Sequence, residues 1–517
     1  MKQYKRVQIF SAVSILAILL FSGCKKGFLD RDPQGKYTAE TYPYPGGSGP
    51  YDSYLFAAYA ELRAFNVHSQ AFICATGIRS DDGDKGSTPS DGGAAAADMD
   101  NFPVQPNYSS NDFANALWVG YYALINKANI AIDQVQNNKD IEATEDVKMQ
   151  SEAEAKFIRG YAYFMLVRLF GRVPVIDKVF TDPAAQSNVP QSSADQVYTL
   201  IESDLQFATQ YLPPSWDPQK FPGRLTKGAA NGLLAKVYLT RKKWAQAQAA
   251  ANAVMTAGLY NLNTTYDKIF REEGENSSES VFEVQATANF TTKTALGVQY
   301  AQIMGVRGSG SWNLGWGWNT PSRSLDTAYE AGDPRRKRTI LYTTGDSAVS
   351  IYGEVLPAGL PNPRYNNKVY SNPSMRGTVG DQFGYWMNVR ILRYADVVLM
   401  FAEAANEVGG DANITAARDA LNAVRARARA GNNAILPNVT TTDQATLRNA
   451  IRKERRIELA MEHDRFFDLV RWGIAAATLN AAGKTNFRDD RDVLLPIPKT
   501  QIDLSKGVLT QNPGYGN

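Results

Sequence analysis

The sequence predicts a mostly α protein: a tetratricopeptide-like scaffold of helix pairs carrying a loop-rich, mixed insert. Three observations predict it. Apolar residues recur at three- and four-residue spacing over long stretches, and those stretches come in pairs with small residues where the partners face each other. Two long segments rich in Gly, Asp, Asn, Pro and Trp interrupt them. The 517 residues are 44% hydrophobic and 21% charged, ordinary for a globular chain and unlike a disordered or polytopic membrane protein.

The first element is a leader. Residues 1–6 are basic, residues 7–21 form an apolar stretch too short to span a bilayer, and Leu20-Phe21-Ser22-Gly23-Cys24 follows. Small residues directly before a cysteine resemble a bacterial lipobox, with Phe21 where Leu is usual, and this implies lipidation at Cys24. The alternative is a plain secretory signal with an incidental cysteine. Acyl chains contribute about 0.8 kcal/mol per buried CH₂, so a lipidated Cys24 is a stable anchor. Cys74 is then a lone thiol, expected to be buried.

Helices are expected over residues 53–66, 111–136, 144–170, 195–211, 226–240, 244–257, 394–407 and 414–430. The second carries Ala114, Leu117, Tyr121, Leu124, Ala128 and Ile132 on one face, and the third stops at Gly171 with Pro174 beyond. Between the first two lies a Gly/Asp/Ser/Pro-rich loop over 79–108. The longer mixed stretch 259–388 contains a strand-like run at 281–284, a Gly/Trp tract and a basic turn at Arg335, Arg336, Lys337 and Arg338. Residues 453–473 interleave Glu454, Glu458, Glu462, Asp464 and Asp468 with Arg455, Arg456, Arg465 and Arg471, which reads as one helix surface laced with i,i+3 and i,i+4 ion pairs. The resulting organisation is a signal over 1–23 and one domain over 24–517. Its helical scaffold covers about 51–258 and 393–477, its insert about 259–392, and its C-terminal segment 478–517.

Composition excludes several functions. Removing Lys2, Lys5 and Arg6 from the 55 basic residues leaves 52, matching the 52 acidic ones, and no basic run remains to grip nucleic acid. Two histidines and two cysteines provide neither a zinc site nor a Ser/His or Cys/His pair. Glu458 and Glu462 could be drawn as a glycosidase acid/base pair, but the surrounding arginines would keep both ionised. Gly483-Lys484-Thr485 lacks the leading Gly of a phosphate loop, and Gly315-Trp316-Gly317 lacks the third Gly of a dinucleotide fingerprint. Asp81-Asp82-Gly83-Asp84 has the look of a calcium loop without its closing Glu, so a solvated acidic turn is expected there and a structural Ca²⁺ is the one cofactor left open. No metal site and no catalytic residue is expected.

Eight segments, in order, are similar to the RagB/SusD family: 24–33 (CKKGFLDRDP), 154–176 (EAKFIRGYAYFMLVRLFGRVPVI), 224–239 (RLTKGAANGLLAKVYL), 280–285 (SVFEVQ), 393–407 (RYADVVLMFAEAANE), 421–428 (LNAVRARA), 453–473 (KERRIELAMEHDRFFDLVRWG) and 494–515 (LLPIPKTQIDLSKGVLTQNPGY). The resemblance covers essentially the whole chain after the leader. It implies an outer-membrane lipoprotein of Bacteroidetes-type bacteria, facing the cell exterior, that works with a SusC-like TonB-dependent transporter. It also implies capture of glycans, or in some members of peptides, without catalysis. The family's binding residues follow no fixed motif, so none is carried over.

The candidate site rests on composition instead. Trp312, Trp316 and Trp318 fall in a Gly/Ser/Asn tract that continues to Asn319. Sugars present apolar C–H faces edged by hydroxyls, which suits flat aromatics with polar neighbours. The early loop is the expected facing wall, with Arg79, Asp81 and Asp82 as hydroxyl partners and Tyr108 as a second aromatic. The competing reading makes the three indoles wedges that fix the loop to the helical body. A neutral oligosaccharide or polysaccharide is the expected ligand, with a peptide or protein as the alternative.

Overall fold

The computed structural model describes residues 49–103, 112–182, 185, 188–291 and 295–516. Cys24 and Tyr108 lie outside the described residues. Eleven helices carry the architecture: α1 (Asp52–Glu61), α2 (Gly93–Asn101), α3 (Asp112–Asn137), α4 (Glu145–Phe170), α5 (Ala194–Tyr211), α6 (Lys227–Thr240), α7 (Trp244–Met255), α8 (Tyr394–Val408), α9 (Asp411–Arg429), α10 (Gln444–Glu458) and α11 (Arg465–Trp472). Local chemistry sets their ends. Ser193 and Gln196 form a reciprocal capping box on α5, Thr226 caps α6 and Asp443 caps α10, while Gly171 ends α4 at a φ of +71°.

From α3 onward each of these helices up to α9 packs on the next, and α7 packs directly on α8 although the insert separates them in sequence. The scaffold is therefore continuous in space. Close approach needs small residues at the contacts: a Cβ on Gly232 of α6 would lie 2.5 Å from Leu392 Cδ2, and one on Gly160 of α4 would lie 3.3 Å from Leu205 of α5. Cys74 is a free thiol in the core. Trp118 is buried, whereas Trp244 and Trp472 are half-buried, with Trp472 Nε1 donating to Glu403 at 2.8 Å. None of the described helices is long and apolar enough to cross a membrane.

The strands form four antiparallel pairs: β1 (Gly83–Gly86) with β5 (Trp318–Pro321), β2 (Val173–Pro174) with β3 (Gln191–Ser192), β4 (Ser280–Val284) with β8 (Val389–Arg393), and β6 (Ile340–Tyr342) with β7 (Arg364–Asn366). The β4–β8 pair ties the two ends of the insert together, running from Ser280 opposite Arg393 to Val284 opposite Val389 with a shift of register around Phe282. β8 then runs straight into α8.

Segment 453–473 departs from the expected single helix surface of local ion pairs in two ways. The chain breaks between α10 and α11, with Met461 and His463 at φ of +66° and +73°, and the break turns Glu462 onto Lys368 and Arg393 at 2.6 and 2.7 Å. Its charges are also buried: Glu454, Arg455 and Glu458 are at most 2% exposed. Arg471 does pair with Asp468 at i,i+3, but the others reach across the fold. Glu458 meets Arg427 of α9 at 2.6 Å, Arg393 of β8 at 3.0 Å and Arg335 of the insert at 3.1 Å, while Arg455 meets Asp396 of α8 at 2.8 Å. Hydropathy patterning reads a charged stretch as solvated, and here mutual neutralisation makes it core. The basic turn at 335–338 is likewise not a free cationic patch, since Arg335 is buried on Asp333 and Glu454 and Arg336 pairs with Asp326.

Burial pushes the Glu458 carboxyl up, but the guanidiniums of Arg427, Arg393 and Arg335 outweigh it and hold the group well below the usual carboxylate range. A depressed folded pKa stabilises above the unfolded value, about 4.3 for Glu, and that stability is lost as pH falls through the folded value. Glu458→Gln is therefore expected to lose roughly 3–5 kcal/mol near pH 7, because it strands buried guanidiniums. Thermal melts of both proteins across pH should show the gap narrowing below about pH 4.

Candidate functional site

The early loop and the Trp tract come together as one ribbon. Gly83 lies opposite Pro321, Asp84 opposite Thr320 and Gly86 opposite Trp318. Ser87 N–H donates to Gly317 O at 2.6 Å, Ser322 N–H to Asp82 O at 2.9 Å and Ser322 Oγ to Asp81 O at 2.6 Å. The expected juxtaposition of the two loops is present, but several expected side chains point into the protein.

Asp81 and Asp82 are buried and form the root of the ribbon rather than a wall facing a ligand. Asp81 accepts from Arg465 Nε at 2.8 Å and lies 2.9 Å from Arg456, and Asp82 accepts from Arg456 Nε at 2.8 Å. Burial opposes the charge on Asp81, yet Arg465 wins and holds that carboxyl low; burial dominates at Asp82 and pushes it up. Two guanidiniums occupy these carboxylates where a calcium loop would need them for a cation, and among the described residues no group of three or more His, Cys, Asp or Glu is placed to hold a metal. Arg79 is buried as well, its guanidinium 4.3 Å from the Phe466 ring centroid and within reach of the Asp492 carbonyl.

The three indoles separate in role. Trp318 is 3% exposed and acts as a wedge: Lys85 Nζ sits 5.1 Å from its ring centroid, and a Cβ on Gly92 would fall 2.2 Å from its ring, so only Gly fits there. Asn319, at a φ of +51°, folds its amide against the backbone of Gly77 and Gly83 and is buried too. Asn tolerates this left-handed backbone better than most residues. Trp312 and Trp316 remain half-exposed. Trp312 closes a single 3₁₀ turn, Gly310–Trp312, and packs on a small apolar cluster that includes Val306, Leu341 and Tyr365. Trp316 is fixed by its backbone N–H to Gln302 O at 2.8 Å and rests on the main core.

Two polar residues that the sequence reading missed lie beside the Trp tract and the early loop. Arg307 and Asp91 form a half-exposed ion pair at 2.9 Å; Arg307 packs beside Gly317, and Asp91 also accepts from Ser87 Oγ at 2.5 Å, a bond that keeps its carboxyl below the usual range. The available signal was their place directly beside the two Gly-rich tracts. The arrangement supplies apolar faces with fixed donors and acceptors at their edge. It offers no acid/base pair: buried Glu458 and half-buried Glu462, both flanked by Arg393, are held below the usual range because the neighbouring cations outweigh desolvation.

Two family models match the chain, one described as the SusD family over residues 278–515 and one described as starch-binding associating with outer membrane over residues 88–239. SusD-like protein P2 of Formosa agariphila is 28% identical over 536 aligned residues, covering 100% of each chain. A laminarin-binding SusD-like protein of solved structure is 30% identical with a TM-score of 0.74, covering 90% of this chain and 99% of its own. Surface glycan-binding protein A of Bacteroides fluxus is 26% identical with a TM-score of 0.72, again covering 90% and 99%.

The division of roles among the indoles has a direct test. Trp318→Ala empties a buried site and should cost about 3–5 kcal/mol, whereas Trp312→Ala removes a half-exposed ring and should cost less than half of that. Urea unfolding of the two variants should rank them in that order.

Proposed function

The chain belongs to the SusD family, and from that premise we propose that it is a non-catalytic binding protein for neutral oligosaccharide or polysaccharide. The observation that carries the proposal is the pair of half-exposed indoles, Trp312 and Trp316, held on a rigid ribbon beside the Arg307–Asp91 pair. A sugar ring stacks on the indole faces, and its hydroxyls exchange hydrogen bonds with the ion pair and the exposed Ser309 and Ser311. Because packing fixes the rings before binding, little side-chain entropy is lost on capture. The glycan-binding names of the relatives support the same ligand class.

In this reading the protein associates with the outer membrane, anchored by lipid on Cys24 and facing the cell exterior. It passes captured glycan to a SusC-like TonB-dependent transporter. The outer-membrane description of the matching family model supports the location, and the lipobox-like Leu20-Phe21-Ser22-Gly23-Cys24 supports the anchor.

Each stacked ring is expected to contribute about 1–3 kcal/mol, by analogy with base stacking, so Trp312→Ala and Trp316→Ala should each weaken glycan binding about tenfold or more in affinity gels or calorimetry. The binding should change little with ionic strength, because the ligand is neutral and the flanking charges are paired. Unaltered affinity in the double variant would refute the platform, and tight binding of a peptide in place of any glycan would refute the ligand class. Cys24→Ala should move the protein from the membrane to the soluble fraction, and palmitate labelling of that variant would refute the anchor.

A further inference from the structure

A groove of about 390 Å³ lies on the helix-pair scaffold, between the loop joining α5 to α6 and the segment from α7 to β4. It shares no lining residue with the Trp312 ribbon. Its volume falls in the range of small-ligand sites. Trp216, Phe221 and Tyr260 supply aromatic surface, and Arg224, Asn276 and Ser277 supply polar groups.

The aromatic wall is fixed before any ligand arrives. Trp216 Nε1 donates to Leu225 O at 2.7 Å, and the Phe221 ring stands edge-on to it at 5.4 Å. The Arg224 guanidinium covers one face of the indole at 4.3 Å, which leaves the rest of this half-buried ring for the groove. Arg224 is held in turn by Glu154 at 2.8 Å through both Nε and Nη2, and by Asp52 at 3.0 Å. Its remaining nitrogen, Nη1, is buried and makes no hydrogen bond, on a side chain only 7% exposed that lines the groove. On the opposite side Tyr260 is positioned by Thr226 at 2.9 Å, and the Asn276 amide is held by a reciprocal pair with Gln285 at 2.9 Å that leaves Asn276 one N–H and one lone pair to spare.

Charge selects among ligands. Two carboxylates, Glu154 and Asp52, face the single Arg224 cation, so the floor does not attract an anion. A flat indole with surrounding hydroxyls and amides instead suits a neutral polyol with an apolar face. We infer that this groove is a second saccharide-binding site, with Trp216 as its stacking surface, fixed by Arg224, and Asn276 and Ser277 as its hydroxyl partners. The inference rests on the glycan reading above for its ligand class, but it uses different residues and therefore stands or falls separately.

The test is ¹⁹F NMR on protein labelled with 5-fluorotryptophan, the Trp216 resonance being assigned with Trp216→Phe. Neutral hexasaccharides of β-1,3-glucan, α-1,4-glucan and β-1,4-mannan are titrated into wild type and into the Trp312→Ala/Trp316→Ala variant. The expected result is a saturable shift of the Trp216 resonance by at least one sugar in both proteins. The binding left in the double variant should then fall about tenfold further on adding Trp216→Ala. A Trp216 resonance unmoved by all three sugars at millimolar concentration overturns the groove, whether or not wild type binds through the ribbon. Loss of binding on Trp216→Ala with none on Trp312→Ala/Trp316→Ala would instead support the groove and overturn the platform.

Discussion

The structure depends on one buried carboxylate being surrounded by three guanidiniums. Glu458 sits where β8, α9 and the insert converge, and Arg393, Arg427 and Arg335 arrive from those three directions. Burying one of these ions alone would cost several kcal/mol; Asp333, Glu454, Glu279 and Glu462 also pair with the same guanidiniums, so that the opposite charges offset one another and most of their hydrogen-bonding capacity is satisfied. A salt-bridge network of this kind adds little net stability over an apolar core, but breaking it is expensive, so it fixes geometry more than it adds energy. The insert has few long regular elements with which to dock; this ionic contact fixes it to the helix pairs together with apolar residues such as Val298, Ile303, Met304 and Trp386 that join the main core, and the β4–β8 pairing closes its base.

The same segment roots the ribbon. Arg456, two residues before Glu458 on α10, and Arg465, at the start of α11, hold Asp81 and Asp82, and the ribbon grows outward from there through β1 and β5. Charged residues that look like ligand contacts in sequence are thereby its foundation, and the half-exposed indoles stand at its outer end. Trp318 and Gly92 lock the middle of it.

The helices were legible because their apolar spacing and stop signals are local: α3 to α9 lie within about three residues of the expected spans, and Gly171 ends α4 as its position implied. The burial of α10 was not legible, since the partners of Glu458 are 31 to 123 residues away and nothing in a charged run says it will be matched. The site was half legible. Composition located the Trp tract and paired it with the early loop, but a run of Gly and Trp does not reveal which ring wedges and which stays exposed; that depends on whether a glycine such as Gly92 lies beneath it. Arg307 and Asp91 carried only their place beside the two Gly-rich tracts, because an ion pair across 216 residues leaves no spacing to read.

The central claim is that an arginine-tied interior holds a preformed ribbon whose outer rings receive a glycan. Hydrogen–deuterium exchange of the full chain, with and without a saturating neutral oligosaccharide, tests it most directly. The account predicts slowed exchange at residues 87–91 and 308–317, with α8, α9 and α10 unchanged, because the ribbon is preformed and its roots do not move. Protection confined to those helices, with the ribbon amides exchanging as before, would contradict it.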